Sequence, residues 1–415
     1  GSTICATMAS THKHSLERGF FMNTHKVRNS LLALTGLAAL TIYILACGTA
    51  FSPDDTKVLY PAFDKVSGQV GLAVYDREAR TSQMVFLPAS IEGGQCLYRE
   101  PRLLRGHWLP DGRSILAVWP GIMGNDDDGL NLALLPVGEA GTFRLYQFPD
   151  VDEPAGVLTT PLPLVGDRVF LRLASNRVAR LDLKTGALTN ALIPGLDEDA
   201  LLRPAPKADA VFCVLKGQAP DAPPVFARLD PDTLKITPLI TITNEMAGGG
   251  FLAFATSGQR FALVEKADET VRLVVLERGR TVFNRPLDVG KSMLFGNAMF
   301  SPKGDFILAS YQARDPVGKT ASYGIIEIPL DDRPIRQTVL VPSCGATEEG
   351  NALLFQAALS HDGQTVAVAS TYLACEDDEF RADDCALFLV DLKDPKRKVT
   401  KVPIPLPAHP KPPLR

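Results

Sequence analysis

A chain of 415 residues with 43 Lys and Arg against 47 Asp and Glu has a formal charge of −4, which excludes the clustered basic surface of an extended nucleic-acid binder. Apolar side chains make up 46 % and charged ones 22 %, ordinary globular chemistry with ample material for a core. The 33 Gly and 32 Pro are high together but dispersed, as many short strands joined by turns require.

In chain order the first segment, residues 1–21, has no apolar period and reads as a tag or misassigned upstream translation. The natural start is read at Met22, with Met8 as the alternative. From Met22 a signal peptide over 22–46 follows: Lys26 and Arg28 form a basic head, then Leu31 to Ala46 runs without a charge into Ala46-Cys47-Gly48. That ending resembles a lipobox, in which a small residue precedes a Cys that is diacylated and becomes N-terminal after cleavage; Leu45 is a less usual occupant of its place. The resemblance implies lipidation at Cys47. Two alternatives stay open. The uncharged run from Asn29 to Pro53 is long enough for an uncleaved membrane helix, which needs about 18 or more apolar residues, and a plain cleaved signal fits as well. All three export the remainder. Removing residues 1–46 takes away four basic residues and one acid and leaves 39 basic against 46 acidic side chains, a net charge of −7.

After Cys47 the chain repeats itself. Phe51-Ser52-Pro53-Asp54-Asp55 before Val58-Leu59-Tyr60 matches Phe300-Ser301-Pro302-Lys303-Gly304 before Ile307-Leu308-Ala309. Trp108-Leu109-Pro110-Asp111-Gly112 and Leu359-Ser360-His361-Asp362-Gly363 are two further copies, each an apolar strand, a tight turn and a second apolar strand. Weaker copies open at Val165, Ala210 and Ser257. Two more strands follow each hairpin, and the second and third strands are almost continuously apolar, as in sheets buried on both faces. The expectation is all-β: a seven-bladed β-propeller of four-stranded antiparallel blades over 47–405, preceded by the signal or lipoprotein leader. The blades are placed near 48–90, 101–150, 152–196, 197–242, 243–290, 291–345 and 346–405, with a Pro-rich tail at 406–415. Tandem β-sandwiches are the rival, but would not show such in-phase recurrence.

The Phe-Ser-Pro-Asp-Asp and Phe-Ser-Pro-Lys-Gly motifs resemble the PD40 (WD40-like) repeats of TolB-type bacterial propellers. The resemblance implies the fold and protein–protein work at the cell envelope; it transfers no partner-binding residue. Ala50 to Pro53 reads as the innermost strand of blade 1, only three residues after Cys47, so a lipid there would leave beside the channel mouth on the face of the blade-to-blade connections.

Export favours disulfides, and Cys375 with Cys385 flank one loop of blade 7 as a candidate bridge; free thiols or exchange with Cys344 are the alternatives. Cys96 with Cys344 is a second possible pair, and Cys213, inside an apolar strand, reads as an inert buried thiol. Two acidic stretches, 376–384 in blade 7 and Asn125-Asp126-Asp127-Asp128-Gly129 in blade 2, read as solvated loops between strands two and three. Ca²⁺ is the functional alternative, although the second fails the EF-hand spacing. His107, His361 and His409 lack metal spacing, and His361 fills a turn slot that holds Pro elsewhere. Arg99, Arg102, Arg105 and Trp108 combine Arg with an aromatic side chain near the first connection and form the candidate partner contact.

No nucleophile elbow, P-loop or dinucleotide fingerprint is present. The expected function is a non-catalytic, membrane-tethered scaffold without a cofactor or nucleic-acid partner, holding an envelope protein or polymer through its loop face. Its place would be the periplasm or cell surface, at the outer membrane in a Gram-negative cell. A metal-dependent lactonase or other hydrolase with its site in the central channel is one alternative, and a subunit of a larger surface assembly is another.

Overall fold

The computed structural model of the protein describes residues 49–64, 69–86, 104–122, 125–137, 143–148, 162–173, 176–196, 202–204, 210–217, 222–241, 251–254, 260–267, 270–278, 280–287, 293–314, 320–345, 356–370 and 386–402. These residues form seven four-stranded antiparallel sheets, each built from one continuous stretch with its strands paired in chain order. Blade 1 runs from Ala50–Phe51 to Thr81–Phe86, blade 2 from Arg105–Trp108 to Arg144–Phe148, and blade 3 from Leu164–Val165 to Leu188–Leu192. Blades 4 to 7 begin with Arg203–Pro204, Phe251–Phe254, Met293–Phe300 and Gln356–Leu359 and end with Ile236–Thr241, Arg280–Leu287, Arg336–Gly345 and Val399–Val402.

The apolar runs that point to two-sided burial divide between neighbouring blades. On the second strand of blade 2, Ile115, Ala117 and Trp119 pack against Leu59, Leu72 and Phe86 of blade 1. The intervening Leu116 and Val118 pack against Val169 and Leu171 of blade 3. Because strand side chains alternate in direction, one uninterrupted apolar strand serves two interfaces. The same arrangement joins blades 3 and 4 through Phe170 and Val211, 5 and 6 through Val275 and Ile307, and 6 and 7 through Leu308 and Val366. Phe226 and Phe261, with ring centroids 6.0 Å apart, bridge blades 4 and 5. Val58, Tyr60 and Met84 of blade 1 meet Ala367, Leu387 and Val402 of blade 7, so the ring closes on side-chain packing with no strand shared between first and last blades. At the blade 1–2 interface, a Cβ on Gly106 would sit 2.6 Å from Leu59 Cδ2, so any larger residue there would push the buried Leu59 side chain aside.

The repeated hairpin motif has a local explanation. Ser52, Ser301 and Ser360 are buried at the start of their turns. Each hydroxyl donates to a carboxylate of its own turn (Asp54, Asp305 and Asp362, all at 2.6 Å) and accepts the backbone N–H of the residue that opens the second strand. The turn thereby supplies a partner for each polar group it buries.

Two expectations need correction. Asn125 to Gly129 is not a loop: it starts the long third strand of blade 2, Asn125–Pro136, with Asn125 paired to Ile122. The hairpin extends here because Leu130 and Leu132 beyond it keep the strand period, which the run of three Asp obscures. Arg105 and Trp108 are not in a connection but form the innermost strand of blade 2, where both are buried. There the Trp108 indole N–H donates to the Ala50 carbonyl of blade 1 at 3.3 Å. Reading charge ahead of alternation moved them outward.

Candidate functional site

The hairpins joining strands one to two and three to four lie on one face of the ring, the turn face, and the remaining connections on the other. Most of the connections fall outside the described residues, so the turn face and rim carry the chemistry that can be located. Its second set of turns escaped the sequence reading. Asp76, Asp182 and Asp230 each accept two backbone N–H groups of the turn that follows. Four residues after each Asp, Arg80, Gly186 and Leu234 take positive φ. The signal was an Asp at the end of strand three followed by a left-handed residue four places on, with Thr before it in two of the three copies. Hydrogen bonds donated by the backbone N–H and hydroxyl of Thr185 and Thr233 hold the Asp182 and Asp230 carboxyls below the usual carboxylate range.

Between blades 2 and 3 the rim opens into a groove of about 470 Å³. Leu109, Leu134, Phe143 and Leu183 supply its apolar surface, and Asp111, Arg144, Asp167 and Lys184 its polar margin. Arg144 donates to the Lys184 carbonyl at 3.0 Å, and the Tyr146 hydroxyl to the Leu183 carbonyl at 3.2 Å, fixing the last strand of blade 2 against the turn of blade 3. Lys184 pairs with Asp167 at 2.5 Å, which raises its ammonium pKa. Burial disfavours charge on Asp111, but hydrogen bonds from Arg113 and Ser114 hold its carboxyl below the ordinary value. Leu188 lies opposite Leu181, whose side chain packs toward blade 2, so Leu188 and Leu192 face the same wedge. Both stand exposed, at 50 % and 64 %.

A smaller notch of about 210 Å³ separates the turns of blades 6 and 7, with Asp305, Glu327, Arg333, Arg336, Lys393 and Arg397 among its lining. Arg397 takes positive φ, and its guanidinium donates to the Leu392 carbonyl and pairs with Glu327 at 2.5 Å.

Solved propellers share this architecture. TolB from Acinetobacter baumannii is similar over 68 % of this chain and 65 % of its own, at 15 % identity and a TM-score of 0.42, so the match spans just under two thirds of that protein. KlAtg21, solved in complex with the coiled-coil of AgAtg16, is similar over 86 % of this chain and 97 % of its own, at 11 % identity and a TM-score of 0.50. The Dos1 propeller is similar over 81 % and 94 %, at 12 % identity and a TM-score of 0.46. No protein-family model and no curated protein matches the sequence. At these identities the likeness is one of fold.

The residues singled out from sequence are placed unevenly. Cys47, Cys96, Arg99, Arg102, Cys375, Cys385 and the acidic stretch 376–384 lie outside the described residues. Cys344 falls on the last strand of blade 6, opposite Ala321. Cys213 is a buried free thiol whose pKa burial pushes up to about 12, the inert thiol expected. Arg105 shares its strand with His107, whose pKa is lowered to about 3 by burial and then by the Arg105 charge. His361 occupies the blade 7 turn, as its slot implied, and meets Asp55 of blade 1. Among the described residues no group of three or more His, Cys, Asp and Glu side chains converges as a metal site would require.

Proposed function

We propose that the protein is a non-catalytic binding scaffold of the cell envelope, exported and tethered by a lipid at Cys47, that holds an envelope protein in the groove between blades 2 and 3. The observation that carries this reading is the groove, an apolar surface with a charged margin; on the same side of blade 3 two leucines, Leu188 and Leu192, stand exposed on a strand free of charge and proline. Interfaces are built this way, with an apolar centre that is desolvated on docking and a polar rim that sets register. The last strands of blades 2, 5, 6 and 7 each carry Arg, Lys or Pro, residues that discourage strand edges from pairing. The last strand of blade 4 carries Pro as well, and of the two that lack all three, Thr81–Phe86 of blade 1 buries its Met84 and Phe86, whereas Leu188–Leu192 exposes its leucines.

The direction of the first strand sets which face a tether at Cys47 would hold to the membrane. Ala50–Phe51 runs toward the turn at Ser52 to Thr56, so its N-terminal end points to the opposite face. A lipid on Cys47, two residues before Thr49, would hold the connection face against the bilayer and leave the turn face and rim open to a partner. This moves the expected docking surface from the loop face to the rim.

The test is affinity purification of the full chain from envelope membranes beside the Leu188→Asp/Leu192→Asp variant, with mass spectrometry of the co-purifying proteins. The expected result is one abundant partner lost in the variant while the melting temperature is unchanged. Identical partner sets, or metal-dependent turnover of lactones or esters by the purified protein, would overturn the reading. Intact-mass analysis of the N-terminal peptide reads acylation at Cys47 directly.

A further inference from the structure

We infer that the last strand of blade 3 takes an extended segment of the partner protein as a fifth strand, which rests on the docking role of the groove proposed above and specifies the partner's chemistry. The outermost strand of a sheet leaves every second residue's backbone groups unpaired, and folds blunt such edges with bulges, Lys, Arg or Pro. The last strand pairs of blades 1, 4, 5 and 6 each carry a register shift. Blades 2 and 7 pair regularly but place Arg144 and Lys401 on the edge strand. Blade 3 has neither device. Its last pair is regular from Arg177 opposite Leu192 to Leu181 opposite Leu188, and its edge strand holds no charge and no proline.

The register fixes which groups face outward. The Asp182 N–H donates to the Ala187 carbonyl and the Ile193 N–H to the Asn176 carbonyl, both at 2.9 Å, so these opposed residues form hydrogen-bonded pairs. Bonded and non-bonded pairs alternate along an antiparallel ladder, which puts Leu188, Asn190 and Leu192 in the non-bonded ones. Their N–H and C=O groups therefore point to the open edge, while their side chains face the wedge toward blade 2. An incoming antiparallel strand finds three donors and three acceptors there. They span about 17 Å at about 3.4 Å per residue. Its residues opposite Leu188, Asn190 and Leu192 enter the wedge beside the two exposed leucines and are apolar; those between them face Thr189 and Ala191 and are polar. Arg177, exposed opposite Leu192, has no ion-pair partner among the described residues. An added strand runs two strand spacings away, about 10 Å, within reach of a glutamate leading the incoming segment.

The experiment titrates the full chain into a fluorescent peptide, Glu-Thr-Val-Thr-Val-Thr-Val with blocked ends, using wild type and Asn190→Pro. That substitution removes an outward donor, where an edge strand tolerates proline, and the melting temperature checks that the fold is kept. The expected result is saturable binding, weakened at least about tenfold by Asn190→Pro, by N-methylation of the valines, whose N–H groups would meet the edge, and by Lys in place of the leading Glu. N-methylation of the threonines, whose N–H groups would face away, should leave it unchanged. Absence of saturable binding, or equal weakening by both methylations, would overturn the added strand. A doubled mass in light scattering that Asn190→Pro abolishes would make a second copy of this chain the occupant and overturn the partner. A membrane partner lost in Leu188→Asp/Leu192→Asp but retained in Asn190→Pro would refute strand addition while the groove keeps its docking role. A partner set identical in both variants and wild type would remove that role itself.

Discussion

Asp55 of blade 1 holds His361 of blade 7 across the point where the ring closes. Its Oδ1 accepts the His361 backbone N–H at 2.9 Å and lies 2.8 Å from the ring Nδ1, and its Oδ2 accepts the Asp362 backbone N–H at 3.1 Å. At two other junctions the equivalent positions are a glycine set against a proline. A Cβ on Gly112 would lie 3.7 Å from Pro53 Cδ, and one on Gly363 would lie 3.1 Å from Pro302 Cδ. At the closing junction Asp replaces the glycine, at a φ of 58°, and His replaces the proline. The first and last blades, which share no strand, are thus joined at this turn position by directed hydrogen bonds, where the equivalent positions of blades 1–2 and 6–7 set a glycine against a proline.

Asp55→Gly separates the two properties of that position. Glycine relieves the left-handed backbone but removes the acceptor for two backbone N–H groups. The expected outcome is a net loss of about 1–3 kcal/mol, because hydrogen bonds to a charged group exceed the backbone relief of about 1 kcal/mol. A urea midpoint that rose instead would show that the junction needs no staple.

What could be read from the sequence follows the range of each interaction. The Ser-x-Asp/Lys-Gly turns were legible because Ser301 and Asp305 satisfy each other four residues apart. Continuous apolar strands such as Ile115 to Trp119 were legible because burial on both faces erases the polar alternation. The groove was not, since Phe143 and Lys184 come from different blades and each is an ordinary rim residue alone. Neither was the closing contact, whose partners stand 306 positions apart. Arg105 misled because its charge suggested a surface, whereas its strand places it in the interior.

His107 predicts a specific acid sensitivity. Its pKa in the folded protein is lowered to about 3 from an ordinary 6.5, because burial and then the Arg105 charge oppose protonation, and its Nε2 has no hydrogen-bond partner among the described residues. The unfolded chain therefore takes up a proton below about pH 6.5 that the folded chain refuses until about pH 3. Across that window stability falls as the pH falls, by up to about 1.4 kcal/mol per pH unit from this group. Asp54, held down to about 2 by its hydrogen bond from Ser52, contributes only at lower pH, because an ordinary carboxylate titrates near 3.8. The urea midpoint of wild type should fall relative to that of His107→Leu as the pH drops from 6.5 toward 4. Parallel midpoint curves would remove His107 from the acid response.

The Arg397–Glu327 pair gives the sharpest stability test, because its two partners should not contribute equally. Arg397→Leu leaves Glu327 nearly buried, and breaking a buried pair by removing one partner costs about 3–5 kcal/mol. Arg336, facing Glu327 from the next strand, can take over part of the compensation, so the expected loss lies at the lower end of that range. Glu327→Leu strands a guanidinium that still donates to the Leu392 carbonyl and sits beside Asp391 and Asp394, whose charges favour it. Its loss should therefore be the smaller. The double replacement removes both charges and should be less damaging than Arg397→Leu alone, a coupling that a double-mutant cycle in urea measures. Additive losses would mean that the pair is solvated in solution and that the notch is open to water on both sides.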